Sequence, residues 1–220
     1  MPLALPCNFA ALLFDMDGTL IDSTACVERI WRTWAQEAGV DADTLLAHLH
    51  GVRGRDVLRR FAPHLDQEQA YQQLLQRELT DLEGTRPIAG VVERMHELSG
   101  LPIAIVTSAP RALAKVKLAH CGVTAPTVMV CAEDVARGKP APDPYLHAAA
   151  QLGVAPAACL AFEDAPSGVR AARAASMPVI ALTTSHAGTA LCEADLHIAD
   201  WQALRFAPGV GGGITVARAP

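Results

Sequence analysis

Residues 10–19 read Ala-Ala-Leu-Leu-Phe-Asp-Met-Asp-Gly-Thr, an apolar run that passes directly into an acidic turn. Such a run predicts a buried strand that delivers side chains to a functional edge of a sheet. Asp15 and Asp17 are two positions apart, so both carboxylates can face one centre. Two anions so close to each other need a compensating cation or a shared proton. Mg²⁺ is a hard divalent ion that suits oxygen ligands. The turn therefore predicts a magnesium site.

Two other interpretations of this turn have to be weighed. An EF-hand calcium loop begins with a similar Asp-x-Asp-Gly pattern, but it needs Glu at its twelfth position, which counted from Asp15 is Cys26. A solvated acidic turn without any ligand is the second, and Asp15 and Asp17 alone do not exclude it. Residues elsewhere in the chain are needed to distinguish a solvated turn from a ligand-binding site.

Helical and strand patterns alternate from Pro87 onward. Predicted strands cover residues 101–106, 127–131, 159–162 and 178–182, and predicted helices cover 88–98, 109–119, 144–152 and 168–175. Apolar strands separated by helices indicate a parallel sheet that is covered on both faces. We therefore expect an α/β fold, a Rossmann-like doubly wound parallel sheet. Gly211-Gly-Gly213 before Ile214 predicts a small hairpin or edge strand at the end of the chain.

The segment 24–86 has helical spacing instead. Apolar residues between Val27 and Ala38 recur at helical intervals, with Trp31 and Trp34 as core residues, and Asp66 with a glutamine three positions on is typical of a helix start. We expect an α-helical domain over 24–86, inserted after the first strand. The catalytic core would then comprise residues 1–23 and 87–220.

Composition excludes several classes of protein. The chain has 18 Lys+Arg against 23 Asp+Glu, a net charge of −5, and no cluster of five or more Lys or Arg, which argues against a nucleic-acid or anionic-membrane binder. No apolar run approaches the roughly 18 residues that span a bilayer. The six cysteines form no CxxC pair, which favours reduced thiols. We expect a soluble, cytoplasmic protein without a targeting segment.

Polar residues follow the later strands as well, and ligands bind beyond the carboxyl ends of parallel strands. The candidates are Thr107 and Ser108 for a phosphate group, Lys139 to balance an anionic site, and Glu163 with Asp164 as further metal ligands. Each alone has a plain structural explanation, as a helix cap or a surface lysine. Four strand ends that supply acids, a hydroxyl, a lysine and further acids together indicate a phosphate and metal site.

Taken together, these residues resemble the motifs of the haloacid dehalogenase superfamily of phosphohydrolases. Asp15-Met-Asp-Gly-Thr19 resembles motif I, Thr107 or Ser108 motif II, Lys139 in Gly-Lys-Pro-Ala-Pro-Asp motif III, and Glu163-Asp164 motif IV. The superfamily places its small helical cap where the insert lies. The likeness is closest to bacterial sugar phosphatases and to yeast glycerol-phosphate and 2-deoxyglucose-6-phosphate phosphatases. Residues 50–53 with Asp56, and residues 162–168, carry this narrower likeness.

This resemblance implies a role for each matching residue. Asp15 would attack phosphorus to form an aspartyl-phosphate, and Asp17 would act as general acid and then as general base. Mg²⁺ would be bound by the Asp15 side chain, the Asp17 carbonyl and Asp164, with Glu163 in the same cluster. Thr107 or Ser108 and Lys139 would hold the phosphoryl oxygens. Which of the two hydroxyls makes that contact is left open.

Departures from the superfamily's other motifs exclude some of its reactions. A metal-free dehalogenase does not need Asp17 or the acid pair at 163 and 164, and a phosphonate hydrolase needs a cap lysine that 24–86 lacks. A mutase of the β-phosphoglucomutase type carries a cap histidine at the position of Val27. Hydrolysis is therefore favoured, with that mutase or a catalytically idle ligand-binding module as alternatives.

Substrate specificity is expected from the cap, because the core recognises only the phosphoryl group. The candidates are His50, Arg53 and Arg55, close to glycines that permit a near approach of ligand, although a solvated basic helix start would explain them too. Hydrogen bonds to hydroxyls would select a small phosphorylated sugar or polyol. We expect a monomer, since the cap must move freely.

Overall fold

The structure, a computed structural model, describes residues 3–220. Its strands are β1 (Cys7–Phe9), β2 (Ala11–Phe14), β3 (Ile21–Asp22), β4 (Arg86–Pro87), β5 (Ile103–Val106), β6 (Val128–Val130), β7 (Cys159–Glu163), β8 (Val179–Leu182), β9 (Leu196–Ile198), β10 (Leu204–Pro208) and β11 (Ile214–Arg218). Its α-helices are α1 (Thr24–Glu37), α2 (Ala42–Leu46), α3 (Gly54–Phe61), α4 (Gln67–Thr80), α5 (Val91–Glu97), α6 (Arg111–His120), α7 (Asp143–Gln151) and α8 (Pro166–Ala174). Within residues 3–220, no helix combines the length and the apolar character needed to span a membrane.

Six strands form one parallel sheet in the order β6-β5-β2-β7-β8-β9. In the middle of the sheet, Leu12 of β2 lies opposite Ile103 of β5 on one side and Leu160 of β7 on the other. The chain winds outward from β2 in both directions, which creates a crevice at the carboxyl end of β2. The predicted fold class, a doubly wound parallel α/β sheet, is confirmed.

Both faces of the sheet are buried, which explains why its strands are continuously apolar. Successive side chains of a strand point to opposite faces. Phe14 therefore packs in one core cluster, where its ring stacks on Phe162 at a centroid distance of 5.0 Å. Leu13 packs in the other cluster, together with Ala104 and Ala161. Two covered faces hold β2, and the turn that follows it, in place.

The helices α1 to α4 lie between β3 and β4 and have a hydrophobic core of their own. Trp31 and Trp34 of α1 are buried in that core, as predicted, with the ring centroids 6.2 Å apart. β3 and β4 pair in an antiparallel manner, with Ile21 opposite Pro87. The chain therefore leaves the sheet for the helical segment and returns from it at one place.

Several helix ends differ from the predicted ones for local reasons. α5 begins at Val91, after the predicted start at 88, because Gly90 at φ 81° precedes it. α6 begins at Arg111 because Pro110 is extended and disfavours helical backbone in the residue before it. The predicted cap of α4 is present, since the Asp66 side chain accepts a hydrogen bond from the backbone N–H of Gln69.

The end of the chain forms the predicted hairpin from β10 and β11. β1 adds to the other side of β11, with Cys7 opposite Val216, so the hairpin becomes a three-stranded sheet. β9, at the edge of the parallel sheet, was not predicted from the sequence.

Candidate active site

The carboxyl ends of three neighbouring strands bring together most of the predicted site residues. β2 lies between β5 and β7, so the residues at and just after the ends of these strands meet at one edge of the sheet. These residues are Asp15, Asp17, Thr107, Ser108, Glu163 and Asp164. All of them except Glu163, which lies deeper, line a cavity of about 450 Å³ between the sheet and the helical segment.

Three buried carboxylates form a cluster at this cavity, and two of them, Asp15 and Asp164, line it. Asp15, Glu163 and Asp164 each offer an oxygen, and these oxygens lie within 4.8 Å of one another. Burial is the main reason that the pKa of Asp15 rises to about 7, and Lys139 opposes that rise while Glu163 adds to it. Burial and the nearby Asp15 charge also raise the pKa of Asp164 well above its usual range. Three such acids are costly to ionise together without a further cation.

Lys139 supplies one positive charge to these acids. Its ammonium lies 2.5 Å from Oδ1 of Asp15 and 2.7 Å from Oε1 of Glu163, and it donates to the Val106 carbonyl at 2.8 Å. Burial lowers the pKa of Lys139, but the attraction of the two carboxylates outweighs burial and raises it. The buried Tyr145 hydroxyl donates to Glu163 Oε1 at 2.5 Å. Lys139 is therefore charged and fixed beside the acid cluster.

Two glycines allow this packing of carboxylates. Gly18 has φ 84°, and a Cβ there would overlap the carboxylate of Asp164. A Cβ at Gly168 would overlap the carboxylate of Glu163. Backbone can approach the acids this closely only where no side chain intervenes.

The acid cluster fits a divalent cation. Three carboxylates face one lysine, so the cluster retains negative charge, and oxygen is the ligand that Mg²⁺ prefers. Asp15 and Asp164 also line the cavity, which leaves room for waters or a substrate oxygen in the shell of an ion. The Asp17 carboxylate does not belong to the trio that could hold a metal.

Asp17 is held by two donors of its own. Its Oδ1 accepts hydrogen bonds from the Ser23 hydroxyl at 2.5 Å and from the Lys117 ammonium at 2.8 Å. Lys117 is a residue that the sequence reasoning missed. A signal was available, because Lys117 shares the buried face of α6 with Leu113 and Ala114 at helical spacing. A lysine on an apolar helix face needs a partner, and here that partner is Asp17.

The structure distinguishes Thr107 from Ser108. The Thr107 oxygen accepts a hydrogen bond from the Ala109 backbone N–H at 3.0 Å, which leaves its hydroxyl proton to be donated elsewhere. The Ser108 hydroxyl donates to the Gly51 carbonyl at 3.1 Å. Ser108 therefore joins the core to the helical segment, and Thr107 keeps a free proton at the cavity.

The three cap candidates also line the cavity, each with a partner. His50 lies 3.0 Å from Glu28, and the Arg55 guanidinium pairs with Glu68 at 2.5 Å. Arg53 pairs with Asp56 at 2.7 Å.

Arg53 also links the helical segment to the core. Its guanidinium donates to the carbonyls of Val135 and Ala136, both at 3.2 Å. A Cβ at Gly138 would lie 2.6 Å from Arg53 Nε, so this arginine crosses directly over the loop that carries Lys139. Arg53 thus contacts the core next to the lysine that faces Asp15.

One wall of the cavity was missed by the sequence reasoning. Trp31 of α1 and Tyr71, Leu74 and Glu78 of α4 line it. Tyr71, Leu74 and Glu78 are spaced three and four residues apart, so they share one face of α4. Helical spacing shows such a face, but it does not show that the face meets a cavity.

Comparison with known proteins agrees with this geometry. The model of the haloacid dehalogenase-like hydrolase family matches residues 12–182. Hexitol phosphatase A of Escherichia coli K12 is 40% identical over 84% of this chain and 88% of its own length. Glycerol-1-phosphate phosphohydrolase 2 of Saccharomyces cerevisiae is 34% identical over 84% of this chain and 78% of its own length.

A solved structure shares the fold. The crystal structure of β-phosphoglucomutase from Clostridium difficile matches 87% of this chain and 91% of its own with a TM-score of 0.73, at 21% identity, a likeness that shows the fold alone. The family match extends from β2 through β8 and so includes every strand that carries a site residue. The chain belongs to the haloacid dehalogenase-like hydrolases, an enzyme family in which the two relatives named above are phosphatases.

Proposed function

We propose that this protein is a Mg²⁺-dependent phosphomonoester hydrolase that acts on small sugar or polyol phosphates through an aspartyl-phosphate. The observation that carries the proposal is the buried trio Asp15, Glu163 and Asp164, of which Asp15 and Asp164 line the same cavity as the separately held Asp17. The names of the relatives, a hexitol phosphatase and a glycerol-1-phosphate phosphohydrolase, support the class of substrate.

In the proposed reaction, a carboxylate oxygen of Asp15 bonds to phosphorus while the bond from phosphorus to the leaving alcohol breaks. Asp17 donates a proton to that alcohol, and it later takes a proton from the water that hydrolyses the aspartyl-phosphate. Thr107 and Lys139 hold the phosphoryl oxygens. Asp15, Asp164 and the Asp17 carbonyl, next to Glu163, would hold Mg²⁺, whose positive charge would offset the repulsion between carboxylate and phosphate.

We assign these tasks to two units of the chain. The core, residues 1–23 and 87–220, would carry out the phosphoryl transfer, and the cap, residues 24–86, would cover the leaving group and exclude water. The separate hydrophobic core of α1 to α4 and the pairing of β3 with β4 support this division. Contacts of Arg53 and Ser108 across the boundary support a closed arrangement in this structure.

The phosphomutase alternative is not favoured. Two relatives at 34% identity or more are named as phosphatases, whereas the likeness to the mutase named above is one of fold. Val27 lines the cavity at the position where the mutase pattern has a histidine, and valine cannot exchange a proton with a substrate hydroxyl. An idle binding module is disfavoured by the complete set of acids around Asp15.

The test is release of inorganic phosphate from a panel of sugar, polyol, nucleotide and phosphonate compounds, with Mg²⁺ and with chelator. Wild type should release phosphate chiefly from small sugar and polyol phosphates when Mg²⁺ is present, and Asp15→Asn should release none while it stays folded. Isomerised substrate without free phosphate would indicate the mutase instead, and no reaction with any compound would indicate the idle module.

A further inference from the structure

One wall of the cavity, formed by residues of α1 and α4, carries a single carboxylate. Glu78 of α4 lies there with Trp31, Tyr71 and Leu74. The Trp31 indole N–H donates to Oε1 of Glu78 at 3.2 Å, which orients the carboxylate. A carboxylate accepts hydrogen bonds at both oxygens, so one indole leaves capacity for a ligand.

The basic residues that line the cavity are already paired. Arg53 and Arg59 lie 2.7 Å and 3.2 Å from the two oxygens of Asp56. Arg55 pairs with Glu68 outside the cavity, and Lys117 pairs with Asp17. These ion pairs consume the positive charge that could otherwise attract an anionic group of a substrate to this wall.

Glu78 is different, because within residues 3–220 no Lys, Arg or His lies at ion-pair distance from it. Burial raises its pKa, and the charge of Lys117 and the Trp31 hydrogen bond oppose that rise. A partly buried carboxylate without a direct counter-ion is costly unless it accepts further hydrogen bonds. Hydroxyl groups of a bound polyol would supply them.

We infer that Glu78 determines specificity: it accepts hydrogen bonds from hydroxyls of the leaving group, and its charge excludes substrates that carry a second anionic group at that end. The inference rests on the proposed function, and it defines the substrate class as monophosphates of uncharged polyols or sugars. A site built to bind a hydroxyl discriminates strongly against a ligand that lacks it, since the buried acceptor is left unpaired.

The experiment compares two substrates that differ at one carbon. Glucitol 6-phosphate carries a hydroxymethyl group at C1, and 6-phosphogluconate carries a carboxylate there. Wild type should prefer glucitol 6-phosphate by at least ~10-fold in kcat/KM, and Glu78→Gln, which removes the charge and keeps the shape, should remove most of that preference. Ethyl phosphate serves as a substrate without hydroxyls, and Glu78→Ala should lower the ratio of glucitol 6-phosphate to ethyl phosphate turnover.

Ratios of this kind separate an effect of Glu78 on specificity from a loss of folded protein, because a misfolded fraction lowers both rates equally. Glu37→Gln is the matched control: Glu37 lies on α1, pairs with Arg77 and does not line the cavity, so both ratios should stay at wild-type values. A wild type that hydrolyses both glucitol 6-phosphate and 6-phosphogluconate equally well, or unchanged ratios in Glu78→Gln, would overturn the inference alone. Absence of phosphate release from every compound would overturn the proposed function and this inference with it.

Discussion

The ammonium of Lys117 lies 2.8 Å from Oδ1 of Asp17, although 100 positions separate the two residues in the chain. Lys117 is only 3% exposed. Burial lowers its pKa, but Asp17 and Glu78 outweigh burial and raise it, so Lys117 carries its charge. Asp17, the proposed acid and base, is therefore oriented by a helix of the core as well as by Ser23.

The first prediction follows from that contact. Lys117→Met should keep the packing of α6 but remove one of the two donors to Asp17, so kcat should fall by ~10- to 100-fold, a part of what general acid–base catalysis contributes. Lys117→Arg should recover part of the loss. Steady-state kinetics measures the effect, with circular dichroism to show that each variant is folded. A folded Lys117→Met with the wild-type kcat would mean that Ser23 alone positions Asp17.

The second prediction separates the two hydroxyls after β5. Thr107→Val should lower kcat/KM by ~100-fold, because it removes a donor to the phosphoryl oxygens, and Thr107→Ser should retain most of the activity. Ser108→Ala should cost less, since the Ser108 hydroxyl is used by the Gly51 carbonyl. Phosphate release from one polyol phosphate ranks the three variants. The opposite ranking would assign the phosphate contact to Ser108.

The third prediction concerns the loop that closes on the core. Gly51 has φ 76°, and a Cβ there would overlap the Ser167 hydroxyl and lie 2.7 Å from Cβ of Ala165. Gly51→Ala should therefore push the loop away from the core and lower kcat/KM by more than ~10-fold, because a misplaced cap no longer completes the site.

Gly39 provides the matched control for Gly51. It has φ 68° in the same helical segment, but no atom lies within 4 Å of the position of a Cβ. Gly39→Ala should cost about 1 kcal/mol of unfolding free energy through backbone strain alone. Denaturant unfolding and kinetics on both variants test the idea, which fails if Gly39→Ala loses as much activity as Gly51→Ala.

The fourth prediction concerns how the stability of the protein depends on pH and on the metal. In the metal-free protein the pKa of Asp15 is about 7, above its ordinary value of 3.8, so the folded state keeps a proton that the unfolded state has released. Stability from this group is fully present below pH 3.8 and is lost as the pH rises to about 7. With chelator, the free energy of unfolding should fall between about pH 5 and about pH 8, and less so in Asp15→Asn.

Magnesium should reverse this trend. Protons and the ion compete for the same carboxylates, so Mg²⁺ should raise the melting temperature more at the higher pH than at the lower one. Asp15→Asn should show a smaller rise at both. Equal stabilisation at both pH values would argue that the ion binds away from Asp15.

Much of the core site could be predicted because its residues directly follow strands. Parallel strands that are neighbours in a sheet must end at the same edge, so an acid after β2 and acids at the end of β7 had to approach one another. Asp15 and Asp164 are therefore found together, and Lys139 lies between Asp15 and Glu163.

The wall formed by α1 and α4 could not be predicted in the same way. The spacing of Trp31 and Leu74 shows which faces of α1 and α4 are apolar, but the orientation of those helices over the sheet depends on tertiary packing. Lys117 and Glu78 contribute through that packing alone, since neither lies in a motif. Motif residues could be identified because their local sequence is distinctive. The local sequence around Lys117 and Glu78 is not distinctive, so these two residues were missed.

The pairing of β3 with β4 determines how freely the segment between these strands can vary. Ile21 lies opposite Pro87, so the two ends of the intervening segment stay side by side whatever chain connects them. Lengthening a connection between fixed ends costs little, about 0.6 kcal/mol for each doubling. The segment between these strands can therefore change in length or sequence, and with it the leaving groups that it accepts, without moving β2 or the two aspartates that follow it.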